Sequence, residues 1–326
     1  MNKYLLESTG DRTDRRGDIE ELLNKYGICI LGAGDFYVSG VKMCKDSSLF
    51  GMGRASRIIL FPEIECGTAV AMDSYTEIKD LFILGAQEDI PLPESVGERH
   101  GITFIGTATP TDYSGQKKNS IIEGCHIRSF SGGGITCTDT GYSTSASVTA
   151  TNCHIMNCGA GINISHFSEY HEFTNILSSQ NLYGCINNGG NNRFVNCGFD
   201  SNVTAFLIDN EGDKSVNNSH GSAVGCTFNH SGKNEGIGVQ IIGAKHGYVF
   251  TGCQMFYSKI VLDGAEGVVF NAMNFGRAER ITVKNSSAVI FSSCVFGTHP
   301  VVSVENSEAV ESSLCFTRGG EALTIK

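Results

Sequence analysis

This chain of 326 residues contains few residues of several types. It has no tryptophan, only five prolines, and a charged fraction of 18%. The hydrophobic fraction of 40% is still sufficient for a packed core, so the chain is not disordered or of low complexity. Together with 40 glycines and many Asn, Ser and Thr residues, this composition is typical of short extended segments joined by tight turns.

The chain is poor in basic residues, and its sequence predicts neither a targeting segment nor a membrane span. The formal net charge is −10, and the only visible basic cluster is Arg12, Arg15 and Arg16. Because phosphate binding requires clustered Lys and Arg, we expect no nucleic-acid partner. The amino terminus has too short an apolar stretch for a signal peptide, and no segment is long enough to cross a membrane. We therefore expect a protein made in the cytoplasm without membrane insertion.

Motifs for metals and nucleotides are absent from the sequence. The 13 cysteines are odd in number and form no CxxC pair, so no metal site is predicted. Two glycine-rich strings, GAGDF at 32–36 and GMGRAS at 51–56, lack the full spacing of a nucleotide-binding loop, and a strand-like segment follows each. We interpret both strings as turns and expect no cofactor.

A repeat in the last third of the chain indicates the architecture. Gly243, Gly264, Asn285 and Asn306 lie 21 residues apart, and each ends a strand-like run: VQIIG, IVLDG, ITVKN and VSVEN. Similar runs recur upstream with looser spacing. A strand and turn repeated every 20–29 residues or so is typical of a parallel β-helix, in which each coil buries its inner face on the next. We predict this solenoid over residues 31–326; a β-sandwich would require antiparallel hairpins at a shorter period.

Two columns of buried residues follow from the repeat. In the first strand of each coil, alternate residues are predicted to point inward: Ile162, Ile164, Phe206, Ile208, Val239, Ile241, Ile260, Leu262, Ile281 and Val283. A second column consists mainly of cysteines, which suit a narrow core: Cys125, Cys153, Cys197, Cys226, Cys253 and Cys294, with Ile176, Met273 and Leu314 in the remaining positions.

Residues 1–30 are predicted to form an N-terminal segment with a capping helix over 18–26. Asp18 is the expected N-cap, and Glu21, three residues later, its capping-box partner. One apolar stripe ends before Gly27, and we expect it to cover the first coil of the solenoid; its members are Ile19, Leu22, Leu23 and Tyr26.

Three segments carry a resemblance to a known superfamily: DRTD at 11–14, YGICILGAGDFYVSG at 26–40 and SSLFGMGRASRIIL at 47–60. They resemble the N-terminal cap and first coils of pectate-lyase-superfamily proteins, including bacteriophage tailspikes and prophage-encoded β-helix proteins. The resemblance implies an all-β, right-handed parallel β-helix that acts on or binds a bacterial surface polysaccharide, as part of a virion tail. It also implies a homotrimer, which exposed apolar side chains at Leu207, Val261 and Phe275 would support.

Insertions in the middle of the chain predict where a substrate binds. The connections between Cys137 and Cys153 and between Ile208 and Cys226 are longer than elsewhere, and a further insertion, NHSGKNEGIG at 229–238, precedes Val239. Binding residues of solenoids gather on such insertions. Alignment of the strands places three polar residues in one outward column, namely Ser165, Asn188 and Asp209.

The polar residues of this region predict glycoside hydrolysis. Three carboxylates are the catalytic candidates, one to protonate the leaving oxygen and another to activate water or attack the sugar: Glu169, Asp209 and Asp213. Imidazole, phenol, amide and carboxylate groups around them are predicted to bind the substrate: His166, Tyr170, His171, Asn188, Asn191, Asn218, His220 and Asp139.

Two alternatives stay open. A polysaccharide lyase needs a base and a cation that neutralises a uronate carboxylate, and only Arg193 and Lys214 lie near this cluster, so we favour a hydrolase. A β-helix that binds a glycan or a receptor without cleaving it would present the same polar face. A geometrically paired set of carboxylates distinguishes the hydrolase from the binding protein.

Overall fold

The chain coils into a parallel β-helix in which three ladders of strands enclose one core. The computed structural model describes residues 3–86, 90–107, 112–137, 145–166, 168–210, 219–229, 236–297 and 300–325. Every pairing between named strands in these ranges is parallel, each strand lying on the equivalent strand of the next coil. The predicted all-β, right-handed parallel β-helix with a short N-terminal helix is confirmed.

Each ladder takes one strand from nearly every coil, and we name the ladders A, B and C in chain order. Ladder A consists of Leu5–Leu6, Ile28–Leu31, Ser48–Phe50, Glu77–Lys79, Lys117–Glu123, Ser145–Thr151, Glu172–Thr174, Asn192–Val195, Gly221–Val224, Tyr248–Thr251, Val269–Asn271, Ser287–Ser292 and Glu308–Ser313. Ladder B consists of Gly34–Val38, Ser56–Leu60, Phe82–Leu84, His126–Arg128, His154–Met156, Leu177–Ser179, Gly198–Asp200, Thr227–Asn229, Val295–Phe296 and Phe316–Thr317. Ladder C consists of Val41–Lys42, Gly67–Ala71, Arg99–Thr103, Gly133–Cys137, Ala160–Ile164, Tyr183–Asn187, Thr204–Asp209, Ile237–Ile242 and Val302–Glu305. Two long strands run through both B and C, Gln254–Asp263 and Asn274–Lys284, and two short 3₁₀ helices occur at Gly53–Ala55 and Tyr113–Gly115.

The core is a set of stacked columns, as the alternation predicted. All ten residues predicted to point inward from ladder C are at most 2% exposed. Ladder A adds a row of phenylalanines with parallel rings, in which Phe250 lies 5.1 Å from Phe270, and Phe270 lies 5.1 Å from Phe291. Like side chains stack on like because the inward residues of each coil lie directly above the corresponding residues of the coil before it.

The cysteine column is confirmed except at its last position. The six predicted cysteines are buried as free thiols, and Ile176 and Met273 occupy the same column. Leu314 does not, because its side chain is 73% exposed, and Cys315 fills the core position instead. Leu314 belongs to the preceding corner, where ten successive coils turn from ladder A to ladder B through one left-handed residue: Asp80, Gly124, Asn152, Asn175, Asn196, Gly225, Gly252, Ala272, Ser293 and Leu314.

Phe275 is wrong as an exposed position. Its side chain is fully buried, and its ring centroid lies 4.9 Å from that of Phe296. The predicted repeat had two strands in each coil, whereas the structure has three, and Phe275 points inward from the omitted ladder B. Leu207 does face outward in ladder C, but only 8% of its surface is exposed.

The N-terminal helix spans Arg16–Tyr26 and covers the first coil. Ile19 and Leu23 are buried in the main core, and the helix ends at Gly27, whose N–H donates to the Leu23 carbonyl at 2.8 Å. Asp18 is not the N-cap, because it lies inside the helix and accepts a hydrogen bond from Arg15 Nε at 2.6 Å. In the part of the chain described, no helix has both the length and the apolar character needed to cross a membrane.

Candidate functional site

The predicted site residues that the structure describes all lie at one edge of the solenoid, where the chain passes from ladder C into ladder A. We call this edge the C–A corner, made of residues 165–166, 168–171, 188–191, 209–210 and 219–220. It holds Glu169, Asp209, His166, Tyr170, His171, Asn188, Asn191 and His220. The other three predicted residues, Asp139, Asp213 and Asn218, lie outside the described residues, as do positions 138–144, 211–218 and 230–235 of the three insertions.

The strand register brings Asn188 and Asp209 into contact. Ile186 pairs with Leu207, so that Asn188 and Asp209 follow at equivalent positions of adjacent coils. The Asn188 Oδ1 atom accepts a hydrogen bond from the backbone N–H of Asp209 at 2.9 Å, which fixes the direction of the amide. Ser165 occupies the same position one coil earlier, as the alignment predicted.

Glu169 lies two coils from Asp209 on the same edge. Its backbone pairs with Ala146 on one side and Gly190 on the other, and its side chain is half-buried. The intervening coil carries Asn188 in the column of Asp209 and Gly190 in the column of Glu169, with Gly189 between them. Gly189 has to be a glycine, because a Cβ atom at this residue would lie 2.0 Å from the Ser168 carbonyl oxygen.

His171 is wrong as a substrate ligand, because it is fully buried. The Nδ1 atom of its ring accepts the backbone N–H of Val148 at 3.0 Å, and the backbone N–H of His171 donates to Asn192 Oδ1 at 2.9 Å. Burial lowers the pKa of His171 to about 3, so the ring is neutral near neutral pH. His171 therefore satisfies backbone groups inside the turn and cannot reach a surface glycan.

Tyr170 and His220 are better placed for contact with a ligand. The Tyr170 side chain is 60% exposed, because its left-handed backbone, with a φ of 60°, turns it away from the core. Asn191 has the equivalent conformation one coil further along. The half-buried His220 ring lies 6.3 Å from the ring of His246, a residue that the sequence interpretation omitted.

The column of Asp209 continues along ladder C and includes a carboxylate that we had not predicted. Asp209 pairs with Ile242, and Ile242 pairs with Asp263. Asp263 Oδ1 accepts a hydrogen bond from Asn285 Nδ2 at 2.8 Å, and both residues line a shallow depression with Gln240. The 21-residue repeat contained this signal, because IVLDG aligns with the run that ends in Asp209.

The acidic groups of the edge are not arranged as a metal site. Across the ranges that the structure describes, no three His, Cys, Asp or Glu side chains come together as metal ligands. The three carboxylates Glu169, Asp209 and Asp263 instead follow one another along the solenoid axis. The axial distance between Cα atoms two coils apart is about 10 Å, at a stacking distance of about 4.8 Å per coil.

Comparisons with known proteins identify the fold. No family model and no curated protein sequence matches the chain. Among solved structures, the chain is similar to the catalytic unit of a GH87 α-1,3-glucanase from Streptomyces thermodiastaticus, with a TM-score of 0.63 and 12% identity, covering 96% of this chain and 69% of the glucanase. It is also similar to the pre-mature gene product 12 of bacteriophage phi29, with a TM-score of 0.62 and 16% identity, covering 98% of this chain and 57% of that protein.

A third similar structure is the enzymatically active domain of tailspike protein 2 from bacteriophage CBA120. Its TM-score is 0.50 and its identity 15%, covering 97% of this chain and 43% of the domain. The chain thus spans little more than half of the phi29 protein and less than half of the tailspike domain. At these identities the three comparisons show a shared β-helix fold.

Proposed function

We propose that this protein is a tailspike-type carbohydrate-active protein that hydrolyses a bacterial polysaccharide bound along the C–A corner and the adjoining outer face of ladder C. The observation that carries the proposal is the position of Asp209. It lies on an open edge, two coils from Glu169 on one side and two coils from Asp263 on the other. The fold shared with a glucanase and with a tailspike enzymatic domain supports the same substrate class.

The spacing of the carboxylates suits a mechanism with an intervening water. Side chains that lean toward each other reduce the axial Cα distance of about 10 Å between Asp209 and Asp263. Glu169 is also two coils from Asp209, but it is in register with Gly190, two residues further along the corner than Asn188. Carboxyl groups roughly 6.5–9.5 Å apart are typical of inverting hydrolases, in which one protonates the glycosidic oxygen and the other activates water. We therefore expect inversion at the anomeric carbon. Asp213, outside the described residues, stays a candidate for a third carboxylate.

Neutral polar and aromatic groups around Asp209 provide contacts for sugar hydroxyls and rings. The amides of Asn188, Asn191 and Gln240 can both donate and accept hydrogen bonds. The exposed ring of Tyr170 offers a flat surface for a sugar, and His166 and His220 add imidazoles at the same corner. Together with the carboxylates, these groups could bind several consecutive sugars along the axis.

The experiment compares Asp209→Asn, Glu169→Gln and Asp263→Asn with wild type on a panel of bacterial exopolysaccharides, by release of reducing ends. We expect Asp209→Asn to lower the rate by about 10²-fold or more, and one of the other two substitutions to do the same. Asp200→Asn is the matched control, because Asp200 lies in the same coil on ladder B. Undiminished hydrolysis by Asp209→Asn would eliminate the assignment. Retention of a polymer without any cleavage by wild type would instead indicate a non-catalytic, glycan-binding tail protein.

We also propose that the protein works as a homotrimer in a virion tail. Of the three positions first expected to be exposed, only Val261 is more than slightly accessible. The outer face of ladder A offers a more continuous apolar stripe, with Val224, Val249 and Ile290 each about 40% exposed. Sedimentation velocity at micromolar concentration should give three times the chain mass of 34.9 kDa. A monomer under these conditions would contradict the proposal.

A further inference from the structure

A pocket on the outer face of ladder B collects positive charge in an otherwise acidic chain. None of the seven residues that line it is acidic. We call it the Arg-His pocket, and its polar members are Arg54, His126, Arg128 and His154. A concentration of cationic groups without a lining carboxylate leaves a positive potential that favours an anionic ligand.

The solenoid register creates this cluster from residues far apart in sequence. His126 pairs with Phe82 in the preceding coil and with His154 in the next, so the two imidazoles are neighbours with ring centroids 5.8 Å apart. Arg128 is two residues beyond His126 on the same strand and therefore projects on the same side. Arg54 reaches in from the neighbouring 3₁₀ helix, with its guanidinium carbon 5.3 Å from the centre of the Phe82 ring.

The pKa values of the two imidazoles are lowered by their surroundings. Burial lowers the pKa of both His126 and His154, and the charge of Arg54 lowers each of them further. Arg128 contributes in the same direction for His154. The imidazoles therefore tend to be neutral at neutral pH, and the fixed positive charge comes from the two guanidinium groups. Such a site suits an anionic ligand whose oxygen atoms accept hydrogen bonds from planar guanidinium groups.

The remaining lining residues suit a sugar ring. Phe82 provides apolar surface one coil before His126 in the histidine column, and Met156 provides it beside Arg128 in the neighbouring column. Next to the pocket, the hydroxyl of Ser179 lies 3.2 Å from His154 Nε2. The pocket is a small recess on the outer face, so it can hold a single charged group and the sugar that carries it. We propose that the Arg-His pocket binds the carboxylate of a hexuronate unit in an acidic polysaccharide, with the sugar ring against Phe82 and Met156. The polymeric source of the ligand rests on the proposed function, but the pocket requires no hydrolysis.

The test is calorimetric titration of the full chain at low salt and pH 7 with three probes: uronate trimers, the corresponding neutral trimer and inorganic phosphate. We expect the uronate trimer to bind at least tenfold more tightly than the other two. Arg54→Gln and Arg128→Gln should each weaken binding about ten- to hundredfold, because each removes a charge-assisted contact. Arg193→Gln is the matched control, since it removes an exposed arginine from ladder A.

A second readout separates contact with the ligand from a structural effect. The NMR titration midpoints of His126 and His154 should rise when the uronate binds, because a carboxylate nearby stabilises imidazolium. Equal affinity for the neutral trimer, full affinity in Arg54→Gln, or phosphate binding as tight as uronate binding would each overturn the proposal. Asp209→Asn should bind the uronate trimer like wild type, so a failure of the hydrolase assignment is distinguishable from a failure of this pocket.

Discussion

The buried His171 should make the stability of the protein fall on mild acidification. In the folded chain, burial lowers the pKa of this imidazole from 6.5 to about 3, whereas in the unfolded chain the ring takes up a proton at its ordinary pKa. Protons therefore favour the unfolded state below pH 6.5, and the loss grows until the pH reaches about 3. At about 1.4 kcal/mol per pH unit, the free energy of unfolding should fall by about 2 kcal/mol between pH 6.5 and pH 5 from this group alone.

The variant that removes this contribution is His171→Asn. An asparagine at this position can accept the Val148 N–H, as Asn192 accepts the N–H of His171 in the structure. Urea unfolding at pH 7.5, 6 and 5 would compare wild type, His171→Asn and the control His246→Asn, whose ring solvent reaches in both states. Carboxylate contributions are common to all three proteins and cancel in the differences. If wild type and His171→Asn lose the same free energy between pH 7.5 and pH 5, the reasoning is refuted.

Two further predictions concern backbone conformation and close packing. Leu314→Asn should raise the free energy of unfolding by about 0.5–1 kcal/mol, because Leu314 is left-handed and 73% exposed, and asparagine tolerates this conformation better. A lower urea midpoint for Leu314→Asn would contradict the strain argument. Gly189→Ala should lower the free energy of unfolding by about 1–3 kcal/mol, because its Cβ atom would meet the Ser168 carbonyl oxygen. The control Gly198→Ala meets only Leu177 Cδ1, at 3.2 Å, and equal losses in the two variants would argue against a specific clash at Gly189.

The fold could be predicted because each coil repeats the same physical requirements at a fixed interval. The period of 21 residues determined which side chains of ladder C are buried, and it also brought Asn188 beside Asp209. Ladder B was not predicted because most of its strands are only two or three residues long. Such a strand contributes a single inward side chain, such as Phe275, and one residue shows no alternation in the sequence.

The site was less predictable because its residues occupy turns of unequal length. Ser165 aligns with Asn188 at the end of ladder C, and His171 aligns with Asn192 at the start of ladder A. The connection between the two ladders is therefore two residues longer in the coil of Glu169 than in the next coil. Nothing in the local sequence indicates that the side chain of His171 is buried and that of Tyr170 is exposed. Asp263 was predictable from the period alone, because no insertion separates its coil from the neighbouring ones.

The equal spacing of the coils between Gly243 and Asn306 has a consequence for how such a molecule changes over generations. Tandem duplication or loss of 21 codons here would lengthen or shorten the rod by one complete coil, and the new junction would repeat contacts that already exist. The extent of the surface beyond Asp263 can therefore vary by recombination, while the edge that bears Glu169 and Asp209 stays unaltered.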